Sequence, residues 1–150
     1  MNMRKTARRG FTLIEVLLVL LILGMLATVG IVAYSSTREG AKKDTANLLV
    51  KQVEGAMERF NIDLSRYPAE DEGIKALVEK PQFSDDKLAE KWRGPYLKED
   101  PLDPWNNPIK YSLVDDTSSG TTRKVPHIWS MGPDGQDGTD DDIRSWTEAK

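Results

Sequence analysis

The chain has no cysteine and a single histidine in 150 residues. Disulfide staples, thiolate zinc sites and cysteine nucleophiles are thereby excluded. His127 stands beside Ile128 and Trp129 in a strand-like stretch, where a satisfied structural role fits better than catalysis. No serine–histidine–aspartate set has evident support, and no phosphate-binding glycine loop is present. Paired acids such as Asp85/Asp86 and Asp115/Asp116 read as solvated surface rather than as a glycosidase pair. Positive charge is unevenly spread. Arg4, Lys5, Arg8 and Arg9 precede Phe11 with no acid among them, and beyond residue 10 the count is 17 basic against 24 acidic, or −7. A basic head on an acidic body argues against nucleic acid as a partner. It suits a membrane segment whose short basic flank stays in the cytoplasm.

What the chain does have is one long apolar tract, from Phe11 to about Val32, broken only by Thr12, Glu15, Gly24, Thr28 and Gly30. About 20 such residues can span a bilayer as a helix. The tract is longer than the apolar core of a secretory signal peptide, and "VGIVAYSST" lacks the small-residue cleavage pattern, so the segment is expected to stay attached. Glu15 is the anomaly. A carboxylate in hydrocarbon is costly unless it meets a partner or a helix end. If the chain were cut after Gly10, the new Phe11 amine would lie four residues before Glu15, one turn away on the same helical face. The positive end of the helix dipole favours a carboxylate there as well. Glu15 therefore either caps its own helix or pairs with the Phe11 amine of a neighbouring subunit.

The residues "RRGFTLIE" resemble the signal of the type IV pilin-like family: a short basic leader, Gly, Phe, then Glu at the fifth position after the cut. The resemblance implies that a prepilin peptidase cleaves after Gly10 and N-methylates Phe11, and that Glu15 is the assembly glutamate. Val32 stands where many relatives have a proline.

Beyond the tract, Ala46, Leu49, Val53, Met57, Phe60 and Leu64 recur at spacings of three and four, the signature of one apolar face on a helix. Tyr67-Pro68 is a natural stop. "AEDEGIKALVEK" and "SDDKLAEKW" read as short helices, the second after a Ser84 N-cap. "RGPYLKEDPLDPWNNP" reads as ordered loop pinned by Tyr96, Leu97, Leu102 and Trp105, and "IKYSLV", "KVPHIWSM" and "DDIRSW" as short strands. The expected fold is α+β, a long N-terminal helix packed on a small antiparallel sheet. The expected organisation is a removed leader (1–10), a transmembrane and assembly helix (11–34) and a periplasmic domain (35–150), with the helix continuing to about residue 64.

In "MGPDGQDGTDDDI", five aspartates (Asp134, Asp137, Asp140, Asp141, Asp142) fall among glycines and a proline. Crowded carboxylates in an irregular loop suit Ca²⁺, which takes six to eight oxygen ligands; a solvated acidic turn is the plainer alternative. The pattern is not an EF-hand, because no Glu stands at the twelfth position and no helices flank the loop. The blocks "RYPAEDEGIKALVEKP", "GPYLKEDPLDPWNNPIKYSL" and "HIWSMGPDGQDGTDDDIRSW" resemble successive parts of the major pseudopilin family of type II secretion systems. That resemblance implies a calcium loop with side-chain oxygens from Asp134, Asp141 and Asp142 and backbone carbonyls from Met131, Pro133 and Gln136. Asp137 and Asp140 do not match the ligand positions.

The resemblance further implies a non-enzymatic subunit of a periplasmic filament in a bacterial inner-membrane system, polymerising to drive folded proteins across the outer membrane. Its implied partners are copies of itself, the prepilin peptidase, minor pseudopilins and an inner-membrane assembly platform. The alternatives are the major subunit of a surface type IV pilus, which the missing C-terminal cysteine pair disfavours, a minor pseudopilin at the filament tip, and a monomeric membrane-anchored calcium-binding protein.

Overall fold

The computed structural model describes residues 10–117 and 120–147, with backbone alone for 27–37. The leader, residues 1–9, lies outside the described residues. The chain divides into two units, Met1–Gly40 and Ala41–Lys150. A single helix, α1 (Leu13–Leu64), supplies most of the first unit and opens the second.

In the first unit, thirteen large apolar side chains between Phe11 and Leu26 are each at least 47% exposed. Among the described residues no helix is long and apolar enough to cross a membrane; the side chains of residues 27–37, which complete the apolar tract, lie outside them.

In the second unit α1 buries one face. Ala46, Val50, Val53, Ala56, Met57, Phe60 and Leu64 are all buried. They form one cluster with Ala76, Leu77, Leu97, Ile109, Ile128 and Ile143. The three-four spacing reads this face correctly; Leu49 packs half-buried at the edge of the cluster, and its neighbour Val50, which the spacing does not pick out, is buried. Ala56 also enters the core, because a methyl group fits where α1 approaches the layer beneath. The helix ends before Tyr67-Pro68, with Ser65 in the left-handed region (φ 57°) and its N–H on the Asn61 carbonyl at 2.7 Å.

The connection after α1 is shorter in helix than its sequence suggests. "AEDEGIKALVEK" makes a 3₁₀ turn only at Ile74–Leu77. The preceding turn is held by Glu72, which binds the Arg66 guanidinium and accepts the Ala69 N–H at 2.8 Å. The Arg66 hydrogen bond is the main reason that the Glu72 carboxyl titrates below its usual range. The next helix, α2 (Asp86–Lys91), is capped by Asp85 rather than Ser84: the Asp85 side chain accepts the Lys87 N–H at 2.9 Å. With two acids following Ser84, the carboxylate nearer the first turn takes the cap.

Three strands, β1 (Lys110–Asp116), β2 (Arg123–Ser130) and β3 (Ile143–Arg144), form an antiparallel sheet in the order β1-β2-β3. The fold is α+β. Pairing runs from Lys110↔Trp129 to Asp116↔Arg123, so β1 and β2 are a hairpin. β3 is two residues long because it pairs only with Trp129 and Ser130. Pro126 therefore faces no ladder partner on the β3 side, which is where a strand tolerates a residue lacking an N–H. Alternation sends Ile128 and Ser130 into the core. On the opposite face His127 stacks on Trp146 with ring centroids 4.0 Å apart, and Trp129 meets Trp146 edge-on at 5.7 Å. Burial lowers the His127 pKa, consistent with a structural ring.

Candidate functional site

Two places carry the sequence-level candidates. At the start of α1, Gly10 and Phe11 are exposed, Phe11 by 81%, and among the described residues a side chain at Gly10 would meet nothing within 4 Å. Glu15 reaches back over the helix start. Its Oε2 accepts the Thr12 N–H at 3.4 Å and the Thr12 hydroxyl at 3.3 Å. Thr12 also accepts the Glu15 and Val16 N–H groups through its carbonyl. This is half of a capping box, with Glu at the third helical position satisfying an otherwise orphan donor. In a single chain, then, the carboxylate caps its own helix through rather long bonds.

The second place is the loop between β2 and β3. Its backbone turns at Gly132, Gly135 and Gly138, all with positive φ. Gly132 is obligatory on two grounds. Its φ is +65°, and a Cβ there would stand 2.6 Å from the Asp141 carbonyl oxygen and 2.8 Å from Asp141 Oδ2. The loop thus folds back so that its two ends touch. Asp134 donates its N–H to Asp141 Oδ2 at 3.3 Å, and Asp134 Oδ1 accepts the Gln136 N–H at 2.8 Å. The Thr139 hydroxyl donates to Asp141 Oδ1 at 2.6 Å and lies within 3.4 Å of the Gln136 carbonyl. That hydroxyl is the main influence holding the Asp141 carboxyl below its usual range.

Asp142 differs from its neighbours. Its side chain is only 2% exposed. Oδ2 accepts the Gly138 N–H at 2.9 Å and faces the Arg144 guanidinium at 3.3 Å. Oδ1 is buried and has no hydrogen-bond partner among the described residues. A buried carboxylate oxygen left unmatched calls for an explanation. A hard cation supplies one, since it takes carboxylate and carbonyl oxygens in irregular loops.

The loop brings Asp134 and Asp141 together around the Thr139 hydroxyl, with the Gln136 carbonyl beside it, whereas the Asp142 carboxylate bonds to Gly138 and Arg144 instead. Met131 is half-buried and Pro133 exposed at its entrance, while Asp137 and Asp140 are exposed. Asp137 Oδ1 accepts the Trp129 indole N–H at 2.7 Å, so it is tied to the sheet rather than to the turn. Among the described residues no three His, Cys, Asp or Glu side chains converge closely enough to hold a metal by themselves. Any cation here would depend on backbone oxygens as well as on carboxylates.

Sequence reading misses the support beneath this loop. Asp103 is 4% exposed and accepts from the Trp105 N–H at 3.0 Å, the Asn107 N–H at 2.8 Å and the Ser130 hydroxyl at 2.6 Å. Ser130 Oγ accepts the Gly132 N–H at 3.2 Å, and Asn107 Nδ2 donates to the Gly132 carbonyl at 3.0 Å. Two loops, 101–109 and 131–142, are thereby fastened together at Gly132. Trp105 packs against the core cluster, as expected, and the Lys42 ammonium lies 5.7 Å over its ring. The available signal was Asp103-Pro104, a turn-opening pair, but nothing local says that the carboxylate is buried.

Comparison with known proteins bears on both places. Residues 33–146 match the family model described as "Type II secretion system (T2SS), protein G", and residues 5–31 match the "Prokaryotic N-terminal methylation motif". The chain is similar to the type II secretion system core protein G of Aeromonas hydrophila, 38% identical over 144 residues that cover 96% of each chain. It is similar to the core protein G of Dickeya chrysanthemi, 37% identical over 139 residues, 93% of this chain and 86% of the other. Its fold is similar to the crystal structure of the major pseudopilin from the type 2 secretion system of enterohaemorrhagic Escherichia coli. That match has a TM-score of 0.53 and 26% identity, and it covers 75% of this chain and 92% of the other.

Proposed function

Because the chain belongs to the type II secretion system protein G family, we propose that it works as a processed, membrane-inserted subunit of a periplasmic homopolymer whose growth drives folded proteins outward. It is a structural pseudopilin and not an enzyme. The observation that carries the assembly reading is the first half of α1. Thirteen large apolar side chains stand uncovered around Glu15, and such a surface is stable only in lipid or against other apolar helices. In this reading the tract 11–34 crosses the inner membrane with the leader inside and residues 35–150 in the periplasm. The prepilin peptidase cuts after Gly10 and methylates Phe11. Glu15 then exchanges its Thr12 cap for the Phe11 amine of a neighbour, while the stems bury one another. Minor pseudopilins and an inner-membrane assembly platform would be its further partners.

We also propose that the aspartate loop holds Ca²⁺. Asp134, Asp141 and Asp142 would supply side-chain oxygens, and Met131, Pro133 and Gln136 backbone oxygens. The buried Asp142 Oδ1, unmatched among the described residues, supports this. The ion would neutralise the crowded carboxylates and tie β3 to the sheet.

Replacing Glu15 by Leu tests the assembly reading. The variant should insert and be processed to a Phe11 N-terminus, seen by mass spectrometry, yet give few filaments and little secretion. Normal secretion by the Leu variant would rule out a role for the carboxylate.

A further inference from the structure

Residues 41–150 carry opposite charge at opposite ends. At one end Ile62 is 76% exposed on α1. The shallow depressions on either side of it are lined by Arg59, Lys87, Lys91 and Arg93, with Asp63 and Glu90 as the only acids. Asp63 is already engaged by the Tyr96 hydroxyl at 2.8 Å. Arg93 is 81% exposed and meets Asp63 only at 4.0 Å, so four cations and two acids line the depressions around an apolar centre. The aspartate loop lies at the other end. It is fastened through Asn107 to the Trp105 loop, whose ring lies under Lys42, and Lys43 acts electrostatically on Asp141. Residues 43 and 62 are about 28 Å apart along a helix rising 1.5 Å per residue.

We infer that the Ile62 patch of one subunit receives the aspartate loop of a second copy, with Asp137 and Asp140 facing Lys91 and Arg93. The choice of occupant rests on charge and position. Among the other exposed acids, Glu70 and Asp71 follow the same end of α1 that carries Ile62, Asp85 and Asp86 open the α2 that lines the patch, Glu99 and Asp100 adjoin Lys98, and Asp115 pairs with Lys124 at 3.5 Å. Only the aspartate loop combines a high density of acid with a location at the opposite end. A contact between unlike surfaces at opposite ends cannot close on a pair and therefore propagates. Asp137 and Asp140 lie outside the proposed calcium ligands, so the loop stays acidic toward a neighbour even when it holds the ion. The inference rests on the homopolymer reading and adds to it a contact made by the domains rather than by the stems.

The chain's lack of cysteine allows a direct test in the full-length protein in membranes. Ile62→Cys combined with Asp140→Cys should give, on oxidation, a ladder of dimers and longer species that neither single variant gives. Separately, Lys91→Glu with Arg93→Glu should lower the yield of sedimenting filament about tenfold, since attraction becomes repulsion at two contacts. Adding Asp137→Lys and Asp140→Lys to the same chain should restore most of the yield. Filaments that sediment normally while the double-cysteine chain forms no ladder overturn the inference. So does an undiminished yield from the reversed patch. If the unmodified chain forms no filament at all, the homopolymer reading fails instead, and this contact with it.

Discussion

The two halves of α1 are made of similar residues and meet opposite fates. Leu18, Leu20 and Leu23 in the first half are each more than half exposed, while Val53, Met57 and Phe60 in the second are fully buried. The difference lies in the polar residues between them. In the first half apolar side chains occupy nearly every position, so no face is set apart for water. In the second half Lys51, Glu54 and Glu58 alternate with the stripe, and one face can be covered by a single domain. A helix apolar on all sides asks for an environment, and a helix apolar on one side asks for a partner in its own chain.

That contrast can be broken at several points, each read by thermal or chemical unfolding of the full chain in detergent. Phe60→Ala should have the largest effect, about 3–5 kcal/mol of lost stability, because the ring is fully buried at the centre of the cluster. Asp103→Ala should cost about 2–3 kcal/mol by leaving the Ser130 hydroxyl and two backbone donors unmatched in the interior. Calcium at about ten times its dissociation constant should add ~1.4 kcal/mol relative to EGTA. Asp142→Asn should remove most of that gain and Asp140→Asn little; equal melting in calcium and EGTA would argue for a plain acidic turn. Leu18→Ala should change domain stability least, by under about 0.5 kcal/mol, because the side chain touches no core. Its effect should appear instead in filament yield. A large loss of domain stability from Leu18→Ala would mean that the two halves are not as distinct as their exposure indicates.

The features legible in the sequence are those written locally. The amphipathic stripe, the apolar tract with its misplaced glutamate, the hairpin and the aspartate loop each follow from periodicity or composition within a few residues. Errors arise where a distant partner decides. Val50 is buried more deeply than Leu49, which packs at the edge of the cluster, because the layer formed by Leu77, Leu97 and Ile128 sets which flank of the stripe is covered. "DDIRSW" has strand-like residues but yields only Ile143–Arg144, limited by what β2 leaves to pair with. The Asp103–Ser130 bond joins residues 27 apart, and neither residue type announces burial. Within the candidate site, the acid cluster was visible and the orphaned Asp142 oxygen was not, since its isolation depends on the packing of Gly138 and Arg144 around it.

The buried carboxylate of Asp103 has a consequence for how the molecule comes apart. Segment 101–109 contains three prolines and two asparagines and has little regular structure, the profile of a place where proteases nick and amide protons exchange freely. Yet the Trp105 and Asn107 amides end on Asp103, the Asp103 amide on the Asn107 carbonyl, and the Ile109 amide on the Pro101 carbonyl. To release those protons, or to extend the segment into a protease cleft, the chain must withdraw Ser130 from the same carboxylate and loosen the sheet. The loop therefore opens with the core rather than before it, and an unstructured-looking stretch shares the lifetime of the most protected strand.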